Sequence, residues 1–322
     1  MDFYVSLLYN DSTEFELLVG KILTEAELIK EWVIVEGSFS FKGRLKGLHL
    51  NELIRQEERL QPFLDRIHVI ECTENLVERF PAKKSIELQL EIAGRRLLGK
   101  NSESIMRLRE ERRFFEVEKY SRDLATELIL SRASNSDWVF ITDVDEIVNM
   151  SSSVTKNELV KATKERARFL QVPRRRYVFD FDNLDPRFRT VPLVKVEMLR
   201  MADRFKISSF RFLTNGLNLQ FSRPPVVEFS YCLGIAGIYQ KLKDFSHVSP
   251  PDASIRRALT YNHQFQYPGD VETSICWFNT DREIGKYLPN YFAENFASLK
   301  TNSVELAFPT NRVREYPDLF TS

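Results

Sequence analysis

One stretch limits what this chain can fold into more than any other: the apolar run Val139-Phe140-Ile141, which leads within two residues into the carboxylates Asp143, Asp145 and Glu146. Large apolar residues in unbroken succession read as a strand buried on both faces, the requirement of a central parallel strand. The carboxylates then emerge where the strand ends. Alternate strand residues point the same way, so Asp143 and Asp145 converge on one point if the extended geometry persists through Val144. Two carboxylates aimed at one point repel unless a cation lies between them. The hard ions Mg²⁺ and Mn²⁺ take oxygen ligands and complete their shells with phosphate oxygens and water, so the stretch reads as a candidate metal and diphosphate site. The alternative is a solvated turn or helix cap, where Asp-x-Asp is common. The buried strand before it weighs toward a site, because ligands of α/β sheets bind at strand C-terminal ends.

Upstream, the pattern predicts a strand over 3–9, then a cap at Asn10-Asp11-Ser12 and a helix over 14–30 with Leu17, Leu18, Ile22, Leu28 and Ile29 at helical spacing. A second buried strand over 32–35 ends on Glu36, a loop with Gly43 and Gly47 spans 38–50, a helix covers 51–63, and a third strand over 67–70 ends on Glu71. This alternation implies a parallel sheet with right-handed crossovers and sets Asn10, Glu36, Glu71 and Asp143 along one rim. No Gly-x-Gly-x-x-Gly or Walker pattern occurs, which argues against a dinucleotide or P-loop site. A charged helical segment over 81–98 is broken by Gly94 and Gly99, and a long helix capped at Asn101 or Ser102 runs to about residue 131, with Val117, Tyr120, Leu124 and Leu128 as its apolar stripe. Arg122 and Asp123 lie beside that stripe, and on spacing alone they are ordinary surface charges.

Downstream, a helix over 158–168 and a strand over 167–172 lead into Pro173-Arg174-Arg175-Arg176-Tyr177. Three arginines beside an aromatic can grip a phosphate or stack on a sugar or base; the commoner reading is a solvated edge strand. Residues 177–231 suit an antiparallel extension interrupted by Pro192 and Pro224-Pro225, a helix over 235–245 closes with His247 as a C-terminal cap, and a further helix lies over 273–287. The chain reads as one α/β domain of 322 residues, divided into 1–150, 151–270 and a helical tail, 271–322. Lys plus Arg and Asp plus Glu number 46 each, so net charge gives no reason to propose nucleic acid or an anionic membrane as partner. Three widely spaced cysteines, Cys72, Cys232 and Cys276, suggest reduced core thiols, and the N-terminus is too short in apolar residues for a signal or spanning segment. A soluble, cytoplasmic protein is the expectation.

Four ordered blocks resemble glycosyltransferase family 17, the bisecting β-1,4-N-acetylglucosaminyltransferases, over most of the chain. They are residues 13–18 with Lys21, where the family tends to have Arg; residues 33–38 with 41–43; Glu118 to Asp123 followed by 141–147; and 226–247. The chain departs from the family's pattern at Val148, where the family has Pro, at Ser121, where it has Gln, and at Glu228, where it has His.

The resemblance implies a GT-A fold, a Rossmann-like mixed sheet flanked by helices, with a nucleotide-sugar half and an acceptor half. It implies a metal-dependent inverting glycosyltransferase using Mn²⁺ or Mg²⁺, with N-acetylglucosamine from UDP-N-acetylglucosamine as donor and a glycan or glycoconjugate hydroxyl as acceptor. Asp143 and Asp145 would hold metal and nucleotide with His247 as a possible third ligand, Asn10 and Glu36 would lie near the nucleoside, Arg122 and Asp123 near donor or diphosphate, and Glu228 would be the general base. The alternative for Glu228 is an ion pair with Arg211 or Arg223. The rival readings are a haloacid dehalogenase-type phosphatase, in which Asp143 is a nucleophile, and a nucleotide-sugar-binding module without turnover.

Overall fold

The structure is a computed structural model that describes residues 1–80, 89, 92–94, 102–149, 153–164, 168–178, 183–201, 206–211, 213, 217–218, 221, 224–230 and 279–280. The first strand, β1 (Phe3–Tyr9), is buried along its whole length. It leads through a 3₁₀ turn capped by Asp11 into α1 (Phe15–Glu25), then β2 (Ile29–Gly37) and α2 (Leu50–Gln56). After a 3₁₀ segment (Glu58–Arg66) come β3 (Ile67–Cys72), the single turn α3 (Leu76–Arg79), α4 (Ser102–Asp123) and α5 (Ala125–Arg132). The central strand β4 (Trp138–Asp143) is followed by the short β5 (Glu146–Val148), α6 (Ser153–Lys164), β6 (Phe169–Val178) and β7 (Asn183–Lys195). Two short helices, α7 (Val196–Met201) and α8 (Ile207–Arg211), precede β8 (Leu217–Asn218) and β9 (Val226–Ser230).

The strands form one mixed sheet in the order β3-β2-β1-β4-β7-β6-β9-β5. β3, β2, β1 and β4 are mutually parallel, and β7 turns antiparallel against β4. This is the Rossmann-like mixed α/β sheet flanked by helices that the sequence predicts. Alternation along β1 shows why it needs helices on both faces. Phe3, Val5, Leu7 and Tyr9 join the core with Leu17, Leu18 and Ile22 of α1, while Tyr4 and Leu8 pack on the other face with Ala125 and Ile129 of α5. In β4 the side chains of Trp138, Val139, Phe140 and Ile141 have no exposure. Each such side chain stabilises the fold by about 1.5–3 kcal/mol relative to leaving it in water. The parallel registers bring Tyr9, Glu36 and Glu71 level and set Leu8 beside Asp143, so the predicted polar rim exists.

Several elements differ from expectation for identifiable reasons. The first helix stops at Glu25 because Ile29, although at helical spacing, is taken by β2 to pair with Phe3. The helix over 51–63 becomes α2 plus a 3₁₀ segment containing Pro62, whose ring and missing N–H break an α-helical ladder. The long helix is interrupted at Leu124, whose N–H is shared at 3.3 Å between the carbonyls of Tyr120 and Ser121. The helix of the second half runs from Ser153 to Lys164 rather than over 158–168. Pro192 lies inside β7, opposite Gln171, at a point where the β4 ladder has already ended at Leu193. The arginine run is not a solvated edge: β6 continues through it, between β7 and β9, and Arg176 is 3% exposed. Asn279–Thr280 pairs antiparallel with β7 inside the segment predicted as a tail helix. The helix over 235–245 and His247 lie outside the described residues.

Candidate functional site

The acidic stretch is a turn rather than a continuing strand. β4 ends at Asp143, Val144 and Asp145 make the turn, and β5 begins at Glu146. Strand alternation therefore does not carry through Val144, and the expected convergence of Asp143 and Asp145 by alternation does not apply. Val144 drops into the core, and the Glu146 carboxylate folds back so that Oε2 accepts the Asp143 N–H at 2.9 Å.

From below, the turn rests on a buried ion pair. Lys21 and Glu25, one helical turn apart on α1, have no side-chain exposure and meet at 2.8 Å. Lys21 Nζ also donates to the Glu146 carbonyl, and Glu25 accepts from the Val148 N–H at 2.8 Å and from Trp32 Nε1 at 2.9 Å. Both ends of β5 are thus tied to one helix. The signal was present in sequence: positions 17, 18, 21, 22 and 25 form one helical face, so a Lys and a Glu on it must pair.

From above, arginines hold the carboxylates. Arg122, 3% exposed, donates to Asp143 Oδ1, to Glu118 Oε1 and, at 3.3 Å, to the Thr142 carbonyl. Arg211, at the end of α8, donates to Asp143 Oδ2 at 2.7 Å and to both oxygens of Glu146 at 2.8 Å. Arg174 pairs with Glu146 and lies 2.9 Å from Glu228, and Arg176 lies 3.1 Å from the other Glu228 oxygen. Four guanidiniums therefore face Glu118, Asp143, Glu146 and Glu228. Burial lowers the pKa of Arg174, and Glu228 offsets only part of this. Registers explain the ladder: Glu146 and Glu228 are directly opposite across β5 and β9, a like-charge pair, and Arg176 stands opposite Glu228 on β6.

Glu228, the expected base, is thus an ion-pair partner at 6% exposure with a guanidinium against each oxygen. Among the described residues it pairs with Arg174 and Arg176; Arg223, expected as a partner, lies outside the described residues. Arg122 does face the acidic turn. Asp123 does not point to it; its Oδ1 accepts the Ser208 N–H at the start of α8 at 2.9 Å, and burial holds its carboxyl above the ordinary range against that hydrogen bond.

A pocket lies at the C-terminal ends of β1, β2 and β3, lined by Asn10, Phe39, Phe41 and Lys46 and walled by Val117 and Ser121 of α4. The loop over it is drawn tight by backbone hydrogen bonds from Lys46 and Gly47 to the Ser38 carbonyl, with Gly47 at φ +83°. Lys46 Nζ donates to the Asn10 carbonyl, holding the loop to the end of β1. Glu36 is not free at this rim. It is 2% exposed, and its carboxylate accepts the His49 and Leu50 N–H groups at 3.0 and 3.1 Å, capping α2. Its neighbours Val35 and Gly37 face the pocket instead.

The donor set suits a hard cation in part. Each oxygen of Asp143 takes a guanidinium N–H, and the side chain is 27% exposed; Asp145, two residues on in the turn, is a second carboxylate and is 5% exposed. Among the described residues no group of three or more His, Cys, Asp or Glu could hold a metal ion, so substrate oxygens and water would have to complete the shell. Cys72 is buried and forms no disulfide, and no described helix is long and apolar enough to cross a membrane.

No protein-family model matches the chain, and no curated protein matches it in sequence. Among solved structures, it is similar to the galactosyltransferase LgtC in complex with donor and acceptor sugar analogues, at 10% identity and TM-score 0.33 over 98% of this chain and 99% of that one. A likeness of that size carries no argument about function.

Proposed function

We propose that the chain is a metal-dependent glycosyltransferase that takes a nucleoside diphosphate sugar and passes the sugar to a glycan or glycoconjugate hydroxyl. The observation that carries this reading is the position of the acidic turn. Asp143 and Arg122 meet at the C-terminal end of β4, with Asp145 two residues on in the same turn, beside the point where the strand order β3-β2-β1 reverses to β4. Crevices at such switch points are where open α/β sheets bind ligands. The pocket beside Asn10 offers Phe39 and Phe41 to a base and Lys46 to its polar edge or phosphate.

Asp143 and Asp145 would hold Mn²⁺ or Mg²⁺, with His247 as a possible third ligand. When bound, the cation would take up negative charge on a departing diphosphate. Arg122 orients Asp143 and keeps it from rotating. In the transfer, the acceptor oxygen bonds to C1 of the sugar as the C1–O bond to the diphosphate breaks with its electron pair, and the hydroxyl proton passes to a base. Inversion and N-acetylglucosamine as donor follow from the family resemblance. We assign Glu228 to the ion-pair ladder and not to the base.

A phosphatase with Asp143 as nucleophile is disfavoured, because guanidiniums on both carboxylate oxygens hold and neutralise the attacking group. The second reading kept is a binding module without turnover, favoured by the engagement of Glu228. Incubation with a panel of nucleotide sugars and Mn²⁺ separates the readings. Release of nucleoside diphosphate from one of them supports the transferase, binding without release supports the module, and neither would refute both.

A further inference from the structure

We propose that Arg211 is a positioning residue of the donor site, acting through Asp143 and set in place by Asp123 through α8; this rests on the function proposed above. Arg211 reaches three residues around the turn at once. It donates to the Ile141 carbonyl at 3.2 Å, to Asp143 at 2.7 Å and to Glu146 at 2.8 Å, so it fixes the end of β4 relative to the start of β5. Arg122 holds the other Asp143 oxygen. With one guanidinium on each oxygen, the carboxylate is held in a single orientation.

The two arginines trace back to one helix end. Arg122 and Asp123 are consecutive at the C-terminus of α4. Arg122 reaches Asp143 directly. Asp123 accepts the Ser208 N–H and so anchors α8, whose Ile207 and Phe210 are buried and whose Phe210 ring packs 5.5 Å from that of Phe169. Arg211 is the next residue after that anchor. A Lys at 211 would keep the charge, but a point charge on a flexible stem cannot span two carboxylates and a carbonyl as a planar fork does.

The test is titration of a nucleoside diphosphate in the presence of Mn²⁺, at a temperature where every variant is folded, with melting temperature measured separately. Arg211→Lys is expected to weaken binding by about 10- to 100-fold, the usual effect of removing a group that orients a ligand-binding side chain. Asp123→Ala is expected to weaken binding in the same direction, and the double variant to be no weaker than Arg211→Lys alone, because both changes break one chain of contacts. Wild-type affinity in Arg211→Lys would overturn the assignment. Additive effects in the double variant would overturn the route through α8. Should Arg211→Lys not fold, unchanged affinity in Asp123→Ala overturns the assignment equally. A wild-type chain that binds no nucleoside diphosphate, with or without cation, refutes the proposed function and this inference with it.

Discussion

Two parts of one sheet are held by different physics. In β1, β2 and β4 most side chains are apolar and buried, on both faces of the sheet, and stability there comes mainly from area removed from water. In β5, β9 and β6, with the Lys21–Glu25 pair beneath, the buried side chains include Glu146, Glu228 and Arg176, with Arg174 half-buried beside them, and they are tolerable only because each charge meets its opposite. The first region answers to volume and the second to charge balance. Charge balance is the more brittle, since one removal strands a partner in a medium that cannot solvate it.

The sharpest way to break the comparison is Lys21→Met, which leaves Glu25 buried without its cation and should cost about 3–5 kcal/mol of stability. Urea unfolding reads this, and the double variant Lys21→Met with Glu25→Gln should recover most of it; no recovery would mean that volume and not charge governs the site. Next in size, Glu228→Gln should cost about 1–3 kcal/mol, as a buried charged hydrogen-bonding group loses its match. Turnover per folded molecule should be little changed, whereas a large loss of turnover at unchanged stability would return Glu228 to the role of base. In the apolar half, Ile34→Val removes one methylene from a fully buried site and should cost about 0.5–1.5 kcal/mol with no effect on ligand binding.

The smallest effect concerns pH. Burial raises the Asp123 carboxyl above its ordinary 3.8, so the folded state holds that proton more tightly than the unfolded chain. Stability from this group is therefore greatest at low pH and is lost as pH rises from 3.8 through the raised folded value. Asp123→Asn should flatten that fall when urea unfolding is followed across the same window; an unchanged slope would contradict it.

The same contrast explains what was readable in the sequence. Strands β1, β2 and β4 were legible because two-faced burial writes itself as apolar runs, β3 from its short apolar alternation although it is the half-buried edge, and the polar rim followed from where those runs end. The arginine run was misread because charges on a strand ordinarily mean solvent. Only the register that sets Arg176 opposite Glu228 and brings Arg174 to Glu146 reveals pairing, and register between strands about 50 residues apart is not written in local pattern. Arg122 was placed at the site through its block and not through spacing. Arg211 is legible only as a candidate partner of Glu228 and not as a contact of Asp143, since that contact arises from α8 being anchored by Asp123, 85 positions before Ser208. The turn at Val144 escaped because a buried Val between two Asp reads as strand.

The central claim, that the acidic turn binds a nucleoside diphosphate through a cation on Asp143 and Asp145, is tested most directly by titrating UDP and other nucleoside diphosphates into wild type with Mn²⁺, wild type in EDTA, and Asp145→Asn with Mn²⁺. The account predicts binding in the first and a loss of about tenfold or more in the other two at a temperature where each protein is folded, with His247→Ala weakening the dependence less than either Asp change. Equal affinity in all three would contradict it.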